Sequence, residues 1–221
     1  MYVAEIWRYP VKSMAGEQLQ SAQLTPSGIG GDRLIQVRNA HGRTITSRTH
    51  PALLGHRGTL DGQGNPLIDG LPWTGPDVLA TVQQIAGPGA RLVRDDSLDR
   101  FDILPLLVAT DGAIEAFGRD RRRLRPNIVV GGVSGLDERE WPGSQLFIGD
   151  VLIDVQDLRG RCIMTTFDPD SLVHDPNVLR DIVKRFGGKL ALNCDVIRGG
   201  RIEVNQPVEI RRTAATGHAR S

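Results

Sequence analysis

Short apolar runs separated by turn residues form the main pattern of this chain. The first run, Tyr2 to Tyr9, ends at Pro10, and the next, Gln18 to Leu24, ends at a Thr-Pro-Ser-Gly cluster. Such runs, bounded by Gly, Pro, Asn and Asp, are typical of β-strands. The same pattern predicts further strands along the whole chain, at residues 34–37, 43–49, 53–60, 91–94, 103–109, 128–130, 146–148, 151–155, 191–197, 201–204 and 208–211.

Three segments show other signals. Between Pro76 and Gly87, apolar residues recur at helical spacing, with proline near the first turn and glycine at the end. Thr110 can cap a short helix that reaches about Phe117. A third helix is predicted to begin with Asp175 as N-cap and Pro176 at the first position, and to stop at Gly187-Gly188.

The order of these elements indicates the fold class. Strands do not alternate regularly with helices, so a parallel α/β sheet is not expected. The turns Asn39–Gly42 and Gly149-Asp150 instead predict antiparallel hairpins. We predict a mainly β protein of the α+β class, with an antiparallel, barrel-like arrangement and a few short helices. The tail, residues 212–221, is expected to be disordered.

Composition narrows the functional classes. The 221 residues carry a net charge of +1, which gives no support for a nucleic-acid-binding protein. No apolar run is long enough to span a bilayer, and the first residues lack the features of a signal peptide. Two cysteines do not make a disulfide framework. We therefore expect a cytoplasmic protein without a membrane anchor.

Cys162 is the residue with the most distinctive surroundings. Arg159 and Arg161 precede it, and positive charge favours the ionised thiolate. Three interpretations remain open on residue chemistry alone. Cys162 could be an ordinary strand residue, a nucleophile assisted by His174 and Asp168, or a ligand to a soft metal. The absence of a Cys-x-x-Cys motif argues against a zinc or iron–sulfur site.

Several segments, in this order, together resemble one known family. They are Tyr9-Pro-Val-Lys-Ser13, Asp32-Arg33, Thr46-Ser-Arg48 with Pro51, Leu124-Arg-Pro-Asn-Ile-Val-Val130, Trp141 with Leu146-Phe-Ile-Gly-Asp150, and Arg161-Cys-Ile-Met-Thr-Thr-Phe-Asp-Pro-Asp170. The chain is similar to the MOSC domain, named for the C-terminal part of molybdenum cofactor sulfurases, and to the β-barrel region that precedes it. Among these proteins it is most similar to the amidoxime-reducing components. The resemblance implies an N-terminal region at 1–100 and a MOSC domain at 101–211.

The resemblance also implies a cofactor, molybdenum held by a pterin dithiolene, and assigns roles to particular residues. Cys162 matches the protein thiolate that binds molybdenum, and the cofactor itself brings the remaining ligands. Arginine offers a bidentate fork to phosphate, and asparagine can both donate to and accept from a pterin ring. The residues implied to bind the cofactor are Lys12, Ser13, Arg33, Arg48, Arg125, Asn127, Arg161 and Cys162.

What the family does suggests two functions. One is the reduction of small N-hydroxylated or related N-oxygenated compounds, with electrons from a separate ferredoxin, flavoprotein or cytochrome b5-like partner. The other is a non-catalytic role as a carrier of the cofactor, or of sulfur as a persulfide on Cys162. A departure from the family is that Leu172 follows Ser171, where the family usually has Thr-Gly after Asp-Pro-Asp.

Two further features are open to a functional and a simpler interpretation. Asp168 is a candidate for a catalytic proton relay, but Asp-Pro-Asp is also favourable turn chemistry, which we prefer. The basic run Arg119–Arg125 lacks interleaved aromatic residues, so we interpret it as a solvated loop from which only Arg125 reaches a site.

Overall fold

The computed structural model describes residues 1–212. Of the predicted tail, Arg212 ends a strand, and residues 213–221 lie outside the described part of the chain. No helix in the described part is both long and apolar enough to cross a bilayer.

The described residues are mainly β-structure, as predicted. The strands are β1 Tyr2–Arg8, β2 Glu17–Leu19, β3 Ser21–Thr25, β4 Gly28–Ile29, β5 Ile35–Arg38, β6 Thr44–Ile45, β7 Gly58–Leu60, β8 Pro66–Ile68, β9 Leu71–Pro72, β10 Arg91–Arg94, β11 Leu106–Thr110, β12 Ile128–Gly131, β13 Ser144–Ile148, β14 Val151–Gly160, β15 Lys189–Arg198, β16 Gly200–Glu203 and β17 Glu209–Arg212. The helices are α1 Pro76–Ala86, α2 Asp111–Phe117 and α3 Asn177–Phe186. Short 3-10 helices lie at Pro51–Gly55, Leu98–Arg100, Arg121–Arg123, Asp137–Glu140 and Ile163–Thr166.

A large sheet of eight strands forms the centre of the molecule, in the order β17-β13-β14-β15-β11-β12-β1-β2. Neighbouring strands are antiparallel except β11 and β12, which are parallel because α2 connects them. The predicted barrel is wrong, since the strand pairing does not close. Between β1 and the segment before β17 there is no continuous ladder but an isolated bridge, from Tyr2 to Pro207, flanked by backbone hydrogen bonds from Val3 to Gln206 (2.9 Å), Asn205 to Val3 (2.8 Å) and Val208 to Met1 (3.0 Å). Proline has no N–H to donate, so it cannot continue a ladder there.

Both halves of the chain contribute to the same layers. Strands β1 and β2 belong to the large sheet, and β3 pairs with β16 near the other end of the chain. The largest apolar cluster accordingly joins residues such as Val3, Leu24, Val108 and Leu192. A second cluster, including Val37, Leu53 and Val82, lies wholly within residues 11–90. The predicted boundary near residue 100 remains a prediction.

Several predicted elements shift or change type. Residues 53–60 are not one strand, because Pro51 begins a 3-10 helix and only Gly58–Leu60 are extended. The predicted strand 103–109 begins at Leu106. Helix α3 begins one residue later than expected, with Pro176 as N-cap, although the Asp175 carboxylate still accepts a hydrogen bond from the amide of Asn177 (3.0 Å).

Candidate functional site

A cavity of about 360 Å³, which we call the Cys162 cavity, lies where the loops after β1, β6 and β14 meet the segments before β5, β11 and β12. It brings together every residue that the sequence predicted to bind a cofactor. Those residues are Lys12, Ser13, Arg33, Arg48, Arg125, Asn127, Arg161 and Cys162. They come from five separate parts of the chain, so the cavity depends on the tertiary fold.

Cys162 lies two residues beyond the end of β14, as the N-cap of the 3-10 helix Ile163–Thr166. Its backbone carbonyl accepts hydrogen bonds from the amide (3.0 Å) and the hydroxyl (2.8 Å) of Thr165, which fixes the 3-10 turn that follows. The thiol is half-buried and unbridged. Burial lowers the pKa of the neighbouring Arg48, but the Asp102 carboxylate and the Cys162 thiol raise it above its usual value. The sulfur therefore lies beside a permanent positive charge.

Arg161 has buried polar atoms without partners in the described structure. Its Nη2 donates to the carbonyl of Leu124 (2.7 Å), whereas Nε and Nη1 have no hydrogen-bond acceptor. Burial lowers the pKa of Arg161 to about 10, so the group remains charged at neutral pH. An unsatisfied buried donor costs about 1–3 kcal/mol, and more for a charged group. A negatively charged ligand in the cavity would remove this cost.

Arg33 and Arg125 both lie against the ring of Tyr9. Their guanidinium carbons are 4.8 Å and 4.4 Å from the ring centre. Burial lowers the pKa of Arg125 to about 10 and raises the pKa of Tyr9 to about 12, so Tyr9 stays neutral between two cations. The ring thus holds both guanidinium groups in place by cation–π contact.

The side chain of Asn127 forms all of its hydrogen bonds with other residues of the protein. Its amide nitrogen donates to Trp7 O (3.3 Å) and Asp32 Oδ2 (3.1 Å). Its amide oxygen accepts from the amide of Leu107 (3.1 Å) and from Arg33 (3.2 Å). An asparagine amide offers two donors and two acceptor positions, and all of them are used. Asn127 is therefore placed to orient Arg33 rather than to contact a ligand with its own side chain.

Three residues that line this cavity have strained backbones. Ser13, Arg33 and Arg125 have φ angles of 72°, 53° and 57°. Residues other than glycine seldom adopt this left-handed conformation, and each such residue costs about 1–3 kcal/mol. Other non-glycine residues with positive φ in the described chain lie outside this lining, so the strain supports a binding role only together with the charges described here. These other residues are Asp69, Leu172, Ala191 and Asn205.

Several lining residues were missed by the sequence analysis, and Asp102 is the most informative. Its carboxylate pairs with Lys12 (2.8 Å), Arg48 (2.8 Å) and, at 3.8 Å, Arg159. Burial acts in the opposite direction, but the hydrogen bond from Lys12 and the charges of these cations hold the pKa of Asp102 below its ordinary value. No local motif marks this residue, since its partners are distant in sequence.

Charge is strongly unbalanced around the cavity. Asp102 is the one acidic residue among those that line it within the described chain. The basic residues are Lys12, Arg33, Arg48, Arg100, Arg123, Arg125, Arg159 and Arg161. Two of these have carboxylate partners just outside the lining, Asp32 for Arg33 and Asp168 for Arg123. The remaining excess of positive charge favours an anionic ligand.

Asp168 lies outside the lining of the Cys162 cavity. Its carboxylate accepts from the amides of Ser171 (3.0 Å) and Asp170 (3.2 Å) and from the Ser171 hydroxyl (3.0 Å), and it pairs with Arg123 (2.9 Å). Mainly because of these backbone hydrogen bonds, the pKa of Asp168 is lowered to about 2. These contacts are those of a turn, and a catalytic role for Asp168 stays a prediction.

The basic run is more ordered than the predicted solvated loop. Arg121–Arg123 form a 3-10 turn, and Arg122 pairs with both Asp120 (2.7 Å) and Asp170 (2.6 Å). Only 9% of the Arg123 side chain is exposed. The prediction is wrong because acidic partners from the segment after Cys162 dock against the run.

The described residues contain no group of three or more His, Cys, Asp or Glu side chains arranged to hold a metal ion. A metal bound at Cys162 would therefore need further ligands from a cofactor. The donor set around it, one thiol among many cations, suits a metal that arrives already chelated by an anionic organic group.

Comparison with known proteins finds two domains of one family and several similar proteins. Residues 1–71 match the MOSC N-terminal beta barrel domain, and residues 112–209 match the MOSC domain. The chain is 27% identical to human mitochondrial amidoxime-reducing component 1, over 76% of this chain and 67% of that protein. It is also 27% identical to mitochondrial amidoxime reducing component 2 of Macaca fascicularis, over 83% of this chain and 72% of that protein.

One solved structure supports the fold independently. The YuaD protein from Bacillus subtilis superposes with a TM-score of 0.54 at 13% identity, covering 96% of both chains. At this identity the similarity concerns the fold alone. The two matched domains show that this chain belongs to the MOSC-domain proteins and carries both the N-terminal domain and the MOSC domain of that family.

Proposed function

We propose that this protein binds the molybdenum cofactor in the Cys162 cavity and reduces small N-hydroxylated compounds. The observation that carries the proposal is the placement of Cys162 among uncompensated cations, with two buried donor atoms of Arg161 unpartnered. A thiolate, a strong positive field and unused donors are what an anionic, metal-bearing pterin requires.

The residues present fit that cofactor. Cys162 would supply the sulfur ligand to molybdenum, and the Nε and Nη1 of Arg161 would donate to the pterin or its phosphate. Lys12, Arg48 and Arg125 would provide the remaining positive charge, with Asn127 holding Arg33 in place. When bound, the cofactor would supply two-electron redox chemistry and accept the substrate's oxygen.

The similar proteins support this activity and its requirements. The mammalian relatives are named as amidoxime-reducing components, which suggests a small molecule with an N–O bond as substrate. Reduction consumes two electrons and two protons for each oxygen released as water. We infer that a separate electron-transfer protein supplies those electrons.

A carrier role uses the same cysteine. Cys162 is half-buried rather than sealed, so its sulfur can be reached by a second protein or a sulfur donor. A persulfide on Cys162, seen as a mass increase of one sulfur atom, together with cofactor binding but no reductase activity, would favour this function.

The experiment is an activity assay on protein produced in a host that makes the cofactor. Benzamidoxime is the substrate and a chemical reductant replaces the unknown partner. We expect reduction to benzamidine by the wild type and by Cys194→Ala, whose cysteine is fully buried away from the cavity. Cys162→Ala should be inactive. Cofactor-loaded wild type that reduces no N-hydroxylated compound would contradict the proposal.

A further inference from the structure

A second cavity, of about 380 Å³, lies next to the Cys162 cavity. Arg123, Arg125 and Met164 line both cavities, so only a layer of side chains separates them. Cys162 lines the first cavity and not the second. We call the second space the aromatic cavity and define it by Trp7, Tyr9, Met164, Phe167, Arg57 and Arg125.

Two half-buried aromatic residues, Trp7 and Phe167, line this space beside Tyr9, whose ring is buried between Arg33 and Arg125. The rings of Trp7 and Tyr9 lie nearly parallel, with centres 6.5 Å apart and planes inclined by 17°. Phe167 stacks on His174 (4.8 Å between ring centres). Gly16 leaves the room that the Tyr9 ring occupies, since a Cβ there would lie 2.5 Å from a ring carbon. Aromatic side chains favour planar aromatic ligands, which stack against their faces or edges.

The charges in this cavity are only partly balanced. Arg122 pairs with Asp120 and Asp170, and Arg123 pairs with Asp168. Arg57 and Arg125 form no salt bridge within the described chain, and Arg125 also lines the Cys162 cavity. A polar or negatively charged group of a ligand would meet positive charge there.

We propose that the aromatic cavity binds the planar aromatic part of the substrate, with the substrate's N–O group at Arg125 on the side of Cys162. The identity of the ligand as substrate rests on the proposed function, whereas the binding itself needs no cofactor. The substrate class is then an N-hydroxylated compound attached directly to an aromatic ring.

Binding can be measured by calorimetric titration of benzohydroxamic acid into the purified full-length protein. Cyclohexanecarbohydroxamic acid is the matched probe, since it has the same polar group on a saturated, non-planar ring. We expect the aromatic probe to bind at least about fivefold more tightly. Trp7→Leu and Phe167→Leu, which change two different elements, should each weaken it about three- to tenfold, and Arg57→Gln should weaken it more modestly.

Two matched controls locate the ligand. Trp73→Leu removes another half-buried tryptophan, and Arg91→Gln removes an exposed arginine that lines neither cavity. Both should bind the aromatic probe within about twofold of the wild type. Equal affinity for the two probes, no measurable binding, or a loss in Arg91→Gln as large as in Arg57→Gln would overturn the inference.

Cofactor content measured on the same preparations separates the two proposals. If the protein binds the aromatic probe but never acquires molybdenum, the proposed function is contradicted and the aromatic cavity remains a ligand site. If the protein is loaded with molybdenum but shows no preference for the aromatic probe, only this inference is contradicted.

Discussion

Individual residues around the Cys162 cavity carry costs that a purely structural role does not explain. Ser13 adopts a φ of 72°, and the buried Arg161 leaves two donor atoms without acceptors. Sequence motifs located both residues, because family resemblance marks chemistry-bearing positions. The sequence could not reveal their strain or their missing partners, since both depend on the surrounding fold.

Ser13→Gly should leave the cofactor-free protein as stable as the wild type, or stabilise it by up to about 1 kcal/mol. Glycine removes the left-handed strain of the folded state. It also makes the unfolded chain more flexible, which offsets part of the gain in folding stability. Urea unfolding measures the difference. Ser144→Gly is the matched control, because Ser144 is also buried but has no positive φ, and it should lose about 1 kcal/mol. A Ser13→Gly protein as destabilised as Ser144→Gly would show that position 13 is not strained.

Asp102 is the counter-ion of Lys12 and Arg48 in the Cys162 cavity, so Asp102→Asn should destabilise the cofactor-free protein by about 1 kcal/mol at neutral pH. The folded-state pKa of Asp102 is lowered. Its contribution is therefore present above the ordinary carboxyl pKa of about 4, and it is lost as the pH falls through the folded value. Chemical unfolding from pH 3 to 8 should show the two proteins converging at the acidic end.

The same variant tests whether Asp102 competes with an anionic ligand. Freed of their carboxylate, Lys12 and Arg48 should bind inorganic phosphate more tightly, so phosphate should stabilise Asp102→Asn more than the wild type. Asp96→Asn is the control, because Asp96 pairs with Arg94 on an exposed surface. Equal stabilisation of all three proteins by phosphate would show that Asp102 does not occupy the ligand's place.

At the level of elements, strands and turns with strong local signals were predicted correctly. The Gly149-Asp150 hairpin joins β13 to β14, Thr110 caps α2 through the amide of Ala113 (3.2 Å), and Gly187 ends α3 with a φ of 64°. Residues 53–60 were predicted wrongly because their apolar composition suits a strand, whereas Pro51 and packing against α1 favour a helical turn. Predictions from the local sequence fail where tertiary contacts determine the conformation of a segment.

A buried carboxylate holds one such tertiary contact together. Glu138, in the 3-10 helix Asp137–Glu140, accepts from the amide (3.1 Å) and hydroxyl (2.8 Å) of Thr110 and from the amide of Ala191 (2.9 Å). Glu138→Ala leaves these buried donors unsatisfied and should destabilise the protein by about 3 kcal/mol or more. Glu140→Ala, at an exposed position of the same helix, should change stability by less than about 0.5 kcal/mol. Similar unfolding midpoints for the two variants would contradict this role.

At the scale of the whole molecule, the cavity is a product of both halves of the chain. Lys12, Arg48 and Arg159 all pair with Asp102, across distances in sequence that no motif spans. The sequence could thus identify motif residues that line one cavity, whereas the ligand that they bind stays a prediction. The counter-ion, the second cavity and the open sheet became visible only when the strands were placed in one structure.

The central claim is that Cys162 holds molybdenum, and the most direct measurement is the molybdenum and pterin content of purified protein from a cofactor-producing host. The account predicts near-stoichiometric molybdenum and pterin in the wild type and in Cys194→Ala, and a loss of molybdenum in Cys162→Ala. Well-folded wild type with neither molybdenum nor pterin, or a Cys162→Ala protein with undiminished molybdenum, would contradict it.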